Sequence, residues 1–186
     1  MSQENALPVG EYKQKYLEQP MLRPKIAALI LNVSLGVSGD PIERAKTIIR
    51  NLTNQEPVET IAKQTWRSWG IRKEQPVGIK VTLRGQPAYD LLLRLFHAKD
   101  YKIGKRAVDR FGNFGFGIRE HIDIPGMSYD PNLGIIGMDV IVQMERVGYR
   151  VKKRSYRRKP IGKKHFVSPV ETRIFLQENY GVTQEL

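Results

Sequence analysis

A chain of 186 residues with 40% hydrophobic residues can bury a core, which excludes global disorder. It contains no cysteine, so disulfides, thiolate metal sites and a cysteine nucleophile are excluded. Lys and Arg number 31 against 19 Asp and Glu, which gives a formal net charge of +12. Such an excess predicts a polyanionic partner, because each neutralised phosphate releases condensed counterions. The alternative is a protein that uses lysine only for solubility.

The sequence has no pattern of a membrane segment or a secretory signal. Its apolar runs are shorter than the roughly 18 residues that a spanning helix needs, and Met1–Pro8 is polar. The lack of cysteine suits a reducing compartment without requiring one. We therefore predict a cytoplasmic protein without a membrane partner, and the sequence indicates neither a cofactor nor a metal.

The first third of the chain predicts a short helix, a strand and a core helix. Glu11–Glu18 has the pattern of a polar helix, and the apolar run Ile26–Leu35 has that of a strand. Asp40 is predicted to cap the next helix, with Pro41 at its first position and Glu43 completing a capping box. This helix buries one face, because apolar residues recur at helical spacing: Ile42, Ala45, Ile48, Ile49 and Leu52.

Two strands, Pro57–Lys63 and Val77–Arg84, are predicted on either side of a long loop. This hairpin loop, Gln64–Pro76, has thirteen residues, and loops of such length are often functional. It contains Trp66 and Trp69, and basic residues lie in it or next to it: Lys63, Arg67, Arg72 and Lys73. We expect these cations to face solvent and reach an RNA. For the tryptophans, the alternative is that one of them packs against the edge of the core.

A second core helix and two further strands follow. Gln86–Lys99 is a predicted helix with a buried stripe of Ala88, Leu91, Leu92, Leu95 and Phe96. The glycine-rich stretch Gly112–Gly117 is expected to lead into an alternating strand, Ile118–Asp123. Gly137–Val147 is the last predicted strand, with one apolar face of Met138, Val140, Val142 and Met144.

Glycine alternates with aromatic residues between Phe111 and Gly117. This pattern is similar in part to the aromatic-glycine strand of RNA-recognition motifs, whose full pattern is absent. No Gly-Lys-Ser/Thr follows it, and no strand–turn–helix surrounds it, which excludes a Walker loop and a dinucleotide fingerprint. The alternative is a glycine-rich bend that exposes backbone to a close neighbour.

After Gly148, nine cations fall within fifteen residues that contain no acid: Arg150, Lys152, Lys153, Arg154, Arg157, Arg158, Lys159, Lys163 and Lys164. This cationic segment (residues 150–164) is expected to be extended until a polyanion orders it, and the alternative is a solvated, disordered appendage. Ser168 and Glu171 then predict a capping box, which opens a terminal helix that ends near Gly181. We divide the chain at this change into residues 1–147, an RNA-binding domain, and residues 148–186, a basic extension with the terminal helix.

Acidic and imidazole side chains cluster once, at Glu120, His121 and Asp123. On a strand, His121 and Asp123 would share one face, and an RNA-acting enzyme that uses the three residues is one functional alternative. No second cluster completes a metal or acid–base site. Salt-bridged strand residues are therefore the favoured interpretation, and no catalytic residue is assigned.

The order of elements predicts an α+β fold. Runs of strands separated by two core helices indicate one largely antiparallel sheet with helices packed on one face. The long basic hairpin loop and the basic C-terminal extension with its short terminal helix would be added to this core. The other sheet face stays available, as in RNA-binding proteins that use a sheet.

Several segments recur in the order found in a known family: Ile30–Asn32 with Gly36, Gln55–Val58, Lys80–Gly85, Gly112–Asp123, Tyr129–Pro131 and Gly134–Asp139. Through them, residues 10–181 resemble the L5 family of large-subunit ribosomal proteins, which bind 5S rRNA in the central protuberance. Ile161–His165 and the terminal helix are similar to the archaeal and eukaryotic branch. One departure is Val37, where the family usually has an acidic residue.

The resemblance implies three contact regions with RNA. The 5S rRNA would contact residues around the first turn and the sheet: Asn32, Ser34, Gln55, Lys80, Thr82 and Arg84. The hairpin loop would point toward the P-site tRNA and large-subunit rRNA, and the cationic segment would anchor rRNA. Implied partners also include neighbouring proteins of the central protuberance and a small-subunit head protein at an intersubunit bridge. A free regulatory RNA-binding module is the other functional alternative.

Overall fold

The computed structural model of the chain describes residues 9–36 and 39–185. Within them the strands are β1 (Lys25–Ser34), β2 (Val58–Ile61), β3 (Pro76–Leu83), β4 (Lys102–Gly104), β5 (Phe114–Ile118), β6 (Met138–Glu145) and β7 (Thr183–Glu185). The α-helices are α1 (Val9–Glu18), α2 (Asp40–Thr53), α3 (Gln86–His97), α4 (Arg150–Lys153) and α5 (Pro169–Tyr180). Met1–Pro8 and Val37 lie outside the described residues.

Five strands form one sheet in the order β2-β3-β1-β6-β5, and every neighbouring pair is antiparallel. The predicted α+β fold with a largely antiparallel sheet is confirmed. The strands β4 and β7 form a separate parallel pair that joins the end of the chain to the segment after α3. The sequence does not predict this pair, because three-residue strands are too short to show alternation.

One face of the sheet is closed by helices. On β1, Leu29, Leu31 and Val33 are buried and lie opposite Leu83, Val81 and Ile79 of β3. The predicted apolar stripes of α2 and α3 are buried in the same hydrophobic cluster, apart from Ile48, which is buried beside it. We call this side the closed face. The two core helices are therefore confirmed, and so is their position on a single side of the sheet.

The start of α2 differs from the prediction. Asp40 lies inside the helix, the N-cap is Gly39, and no side chain caps the helix end. Glu43 pairs instead with Lys46, at 2.7 Å between carboxylate and ammonium. The prediction of a capping box at Asp40 is wrong. A carboxylate in the first turn still interacts favourably with the positive end of the helix dipole.

The strand predicted at Ile118–Asp123 is also wrong. The strand β5 occupies the glycine-rich stretch itself, and residues 121–123 form a short 3₁₀ turn. Phe114 and Phe116 of β5 stack on Phe96 of α3, with ring centroids 6.3 and 5.4 Å apart. These rings belong to the core, so the resemblance to an RNA-recognition motif, whose aromatic rings face the RNA, does not hold.

The terminal helix α5 begins at the predicted capping box. Ser168 Oγ accepts from the Glu171 N–H, and the Glu171 carboxylate accepts from the Ser168 N–H. Glu171 also pairs with Arg146 at 2.6 Å, and both side chains are buried. A buried carboxylate needs such partners, because an uncompensated charge in the interior is strongly destabilising.

The C-terminal region shares the core of the sheet. Val167, Leu176 and Val182 belong to the same hydrophobic cluster as the sheet residues. At Gly112 the φ angle is +75°, and an added Cβ would lie 2.6 Å from the Thr172 hydroxyl, which donates to the Gly112 carbonyl. The bend alternative for this glycine therefore holds at Gly112. The division of the chain at residue 148 stays a prediction.

No helix within residues 9–36 and 39–185 is both long and apolar enough to cross a membrane.

Candidate nucleic-acid interface

The second face of the sheet carries polar side chains in a row across the strands. Asn32 of β1 lies directly opposite Lys80 of β3 on one side and Asp139 of β6 on the other. Lys80 in turn lies opposite Val58, and Asp139 lies opposite Gly117. Residues opposite each other in antiparallel strands point to the same side of the sheet. A cation, an amide and a carboxylate are therefore held side by side on rigid backbone.

A second row lies next to the first. Thr82, Ile30, Ile141 and Gly115 are paired in that order across β3, β1, β6 and β5. Together the two rows form what we call the open face: Asn32, Lys80, Thr82, Asp139, Ile30, Ile141, Val58, Gly115 and Gly117. Because β5 contributes only glycines to it, this edge is flat and lets another backbone come close.

A concave region of ≈ 550 Å³ lies at the end of the sheet where β1 finishes. Asn32, Ser34 and Asp139 line it together with Lys99 and Arg119. The structure thus brings two predicted residues, Asn32 and Ser34, next to two cations that sequence reasoning did not assign to RNA. The signal for Asp139 was available, since it alternates with the apolar stripe of β6. Lys99 and Arg119 lie outside the strands, and no periodicity indicates them.

The remaining predicted 5S rRNA residues lie around this surface. Lys80 is exposed and Thr82 is half-buried, and the two share the open face. Gln55 is exposed in the turn between α2 and β2, next to the edge of the sheet. Arg84 is exposed immediately after β3 ends.

The hairpin loop is an ordered extension of β2 and β3. The backbones of Ala62 and Glu74–Gln75 exchange hydrogen bonds of 2.8 and 2.9 Å, and Trp66 and Ile71 pair nearer the tip. Trp66 and Trp69 stack on each other with centroids 5.6 Å apart, and they are 52% and 70% exposed. The alternative of a tryptophan packed against the core is wrong. The predicted cations Lys63, Arg67, Arg72 and Lys73 are all exposed.

The cationic segment is folded against the sheet at its first turn. Residues 150–153 form α4, and Lys153 pairs with Glu145 at the end of β6, with 2.5 Å between the charged atoms. Farther along, the Arg154 side chain donates to the Arg157 carbonyl, and the Arg157 guanidinium lies over the exposed Tyr156 ring. The expectation of an extended segment is wrong for residues 150–153. The other cations of the segment are exposed.

The hairpin loop and the cationic segment lie at opposite ends of the sheet. Ser34, at the end of β1, pairs with Gly78 near the hairpin loop, while Lys25, at its start, pairs with Glu145 near the cationic segment. The strand β1 has ten residues, so these ends are roughly 30 Å apart at 3.3 Å per residue. A surface of this length with basic features at both ends suits an extended polyanion.

The fold separates the side chains of Glu120, His121 and Asp123, which the sequence brings close together. His121 is 1% exposed, and its Nδ1 accepts a weak hydrogen bond of 3.4 Å from the Ile136 N–H. Burial lowers the pKa of His121 below its ordinary value of 6.5. Glu120 and Asp123 are exposed, so the predicted common strand face is wrong. Among the described residues, no three His, Asp or Glu side chains could hold a metal ion.

Comparison with known proteins identifies the family. Residues 19–72 match the family model of ribosomal protein L5, and residues 76–172 match the model of the C-terminus of the same ribosomal family. The chain belongs to the ribosomal protein L5 family. The "Large ribosomal subunit protein uL5" of Nitrosopumilus maritimus is 42% identical over 166 residues, which cover 89% of this chain and 96% of that protein.

Two further archaeal relatives agree with this assignment. The uL5 protein of Aeropyrum pernix is 42% identical over 94% of this chain and 92% of its own length. That of Methanococcus aeolicus is 40% identical over 94% of this chain and 98% of its own length. The family is structural, so this chain is a constituent of the large ribosomal subunit and an RNA-binding protein of translation.

Proposed function

We propose that the open face of this chain binds 5S rRNA and attaches it to the central protuberance of the large subunit. The observation that carries this proposal is the row in which Asn32 lies between Lys80 and Asp139. A surface that only attracted phosphate would have no use for a carboxylate next to its amide. The mixed row instead supports recognition of groups that both donate and accept hydrogen bonds.

Each side chain of the row has a distinct chemical role. The Lys80 ammonium pairs with a phosphate, and the Asn32 amide donates to and accepts from base edges or sugars. The Asp139 carboxylate accepts hydrogen bonds from a ribose 2′-hydroxyl or an exocyclic amino group. The adjacent glycines of β5 leave room for the sugar–phosphate backbone. Together these groups favour RNA over DNA, because only RNA offers the 2′-hydroxyl.

The hairpin loop is proposed to contact the P-site tRNA and nearby large-subunit rRNA. Its exposed pair, Trp66 and Trp69, supports this role, since exposed indoles are suited to stacking on bases or riboses. Arg67, Arg72 and Lys73 add contacts that depend on charge. Such contacts are individually weak, which suits a ligand that must leave after each cycle.

The cationic segment is proposed to anchor large-subunit rRNA from the other end of the sheet. The two ends of β1, one near this segment and the other near the hairpin loop, are roughly 30 Å apart, which supports simultaneous contact with two parts of an RNA assembly. Neighbouring proteins of the central protuberance and a small-subunit head protein remain proposed partners. The proposed location is the cytoplasmic ribosome.

Binding to isolated 5S rRNA tests the main proposal. The affinity should fall roughly a thousandfold or more between 50 and 200 mM salt if six or more phosphates are neutralised. It should exceed the affinity for a random RNA of equal length at every salt concentration. Equal affinity for the two RNAs, or an affinity independent of salt, contradicts the proposal.

Two further measurements separate the alternatives. A ribosomal constituent sediments with large subunits in high-salt gradients, whereas a free regulatory module stays at the top. For the hairpin loop, the double change Trp66→Ala and Trp69→Ala should weaken tRNA crosslinking to reconstituted subunits and leave 5S rRNA affinity unchanged. If that variant loses 5S rRNA binding, the hairpin loop contacts 5S rRNA and the proposed tRNA contact is contradicted.

A further inference from the structure

A small cavity lined by aromatic residues lies where the sheet meets the cationic segment. Its volume is ≈ 190 Å³, and its lining includes Phe111, Tyr149, Phe166, Gln143 and Lys152. Pockets that hold drug-sized ligands have volumes of about 300–1,000 Å³, so this smaller cavity suits roughly one planar ring system. None of these residues belongs to the hairpin loop or to the two rows of the open face, although Gln143 lies on the same side of the sheet as those rows.

The aromatic wall is fixed in place. The Phe111 and Phe166 rings are 5.3 Å apart, and Tyr149 meets Phe166 edge-on at 6.3 Å. Asp109 holds the turn that carries Phe111, because its carboxylate accepts from the backbone N–H groups of Phe111 and Asn113. Phe111 nevertheless remains 40% exposed, so part of a rigid ring faces solvent.

The rim of the cavity is polar and positively charged. Gln143 is exposed on β6 two residues beyond Ile141, so its amide lies on the side of the open face. Lys152 of α4 lines the cavity, and the Arg110 guanidinium lies 4.7 Å from the Phe111 ring centroid. The ion pair of Lys153 with Glu145 fixes the helix that carries Lys152.

We propose that this cavity receives one unpaired base of the bound RNA. The aromatic wall offers stacking, which every base accepts, and the Gln143 amide offers hydrogen bonds to a base edge. Lys152 and Arg110 then neutralise the phosphates on either side of that nucleotide. The positively charged rim favours a nucleotide, which carries phosphate, over an apolar peptide. This inference rests on the RNA binding proposed above and adds a base-stacking site at the end of the sheet that carries the cationic segment.

The change Phe111→Leu tests the inference, because it removes the ring and keeps an apolar side chain. The probes are 5S rRNA and large-subunit rRNA transcripts. For the RNA that supplies the base, affinity should fall about fivefold or more, while the slope of affinity against salt stays the same. Phe111→Tyr, which keeps a ring, should restore binding. Tyr129→Leu, a change at another exposed aromatic residue, is the matched control and should bind like the wild type.

Crosslinking provides a measurement that does not depend on affinity. Transcripts containing 4-thiouridine should crosslink to peptides with Phe111, Tyr149 or Phe166. Thermal unfolding of Phe111→Leu checks the fold, and Gln143→Ala replaces it if that variant is unstable. Wild-type affinity of these variants for both transcripts, without such crosslinks, overturns the cavity inference. Failure of the wild type itself to bind either transcript overturns the proposed function instead.

Discussion

The two faces of the sheet differ in what their side chains do, although they share the same strands. On β1, Leu29, Leu31 and Val33 point into the core, while Ile30 and Asn32 alternate with them on the open face. The first set is buried in the same hydrophobic cluster as residues of α2 and α3, whereas the second is only half-buried. One strand therefore carries folding residues and proposed binding residues one position apart. Stability and RNA affinity should respond to changes at different, adjacent positions.

The largest expected effect is on the closed face. Leu29→Ala removes a side chain that is 0% exposed and should lower the free energy of unfolding by about 2–5 kcal/mol. The neighbouring change Ile30→Ala is the control, and it should cost about 1 kcal/mol or less because that side chain is only half-buried. Urea denaturation followed by circular dichroism measures both. Equal losses would mean that the two faces do not differ in this way.

On the open face, Asn32→Ala should affect binding and leave folding unchanged. Loss of the amide is expected to weaken 5S rRNA binding about tenfold, which corresponds to about 1.4 kcal/mol. The same change at Asn51, an exposed residue of α2, should have no effect on binding. Filter binding and thermal unfolding of both variants give the comparison. A drop in unfolding temperature with Asn32→Ala would assign this residue to the core.

Lys80→Gln should change the salt dependence more clearly than the affinity. The plot of log affinity against log salt has a negative slope, and removing one phosphate contact makes it shallower by about 0.7–0.9. Arg44→Gln removes the same charge from the exposed side of α2 and should leave the slope unaltered. Titrations at four salt concentrations distinguish the two variants. If both variants make the plot equally shallow, net charge rather than the open face governs binding.

The smallest effect is a pH dependence on the closed side, where His121 lines a cavity with Ile48 of α2. Burial lowers the folded-state pKa of His121 below the ordinary 6.5, so the unfolded chain binds the proton more tightly. The contribution of His121 to stability is therefore fully present above pH 6.5, and it is lost as the pH falls through the folded-state pKa. His121→Gln should flatten the pH profile of unfolding above about pH 5. A profile unchanged by the substitution would contradict this role.

Periodicity predicts the closed face well and the open face only in part. The stripes of α2, α3 and β6 follow from spacing, because burial of one face imposes the period. The row of Lys80, Asn32 and Asp139 depends on strand register, which no single strand contains. Sequence reasoning misses Asp139 for this reason, although its alternation is visible in the sequence.

Local rules fail where tertiary packing decides the outcome. Glycine disfavours strands, so the sequence predicts only a lead-in at Gly112–Gly117, yet β5 forms there because Phe114 and Phe116 pack on Phe96. Exposed tryptophans are unusual, but Trp66 and Trp69 cover each other by stacking. Lys99 and Arg119 of the concave region come together only because the ends of α3 and β5 are close in the folded chain.

The buried pair of Arg146 and Glu171 has a consequence for the time order of synthesis. The two residues are 25 positions apart, and at about 5–20 residues per second the carboxylate is added about one to five seconds after the guanidinium. During that interval the Glu171 carboxylate is not yet available to neutralise Arg146. The terminal helix can close over the core only after Glu171 and the rest of α5 have been made. The core therefore cannot be completed until the helix that neutralises the buried Arg146 exists.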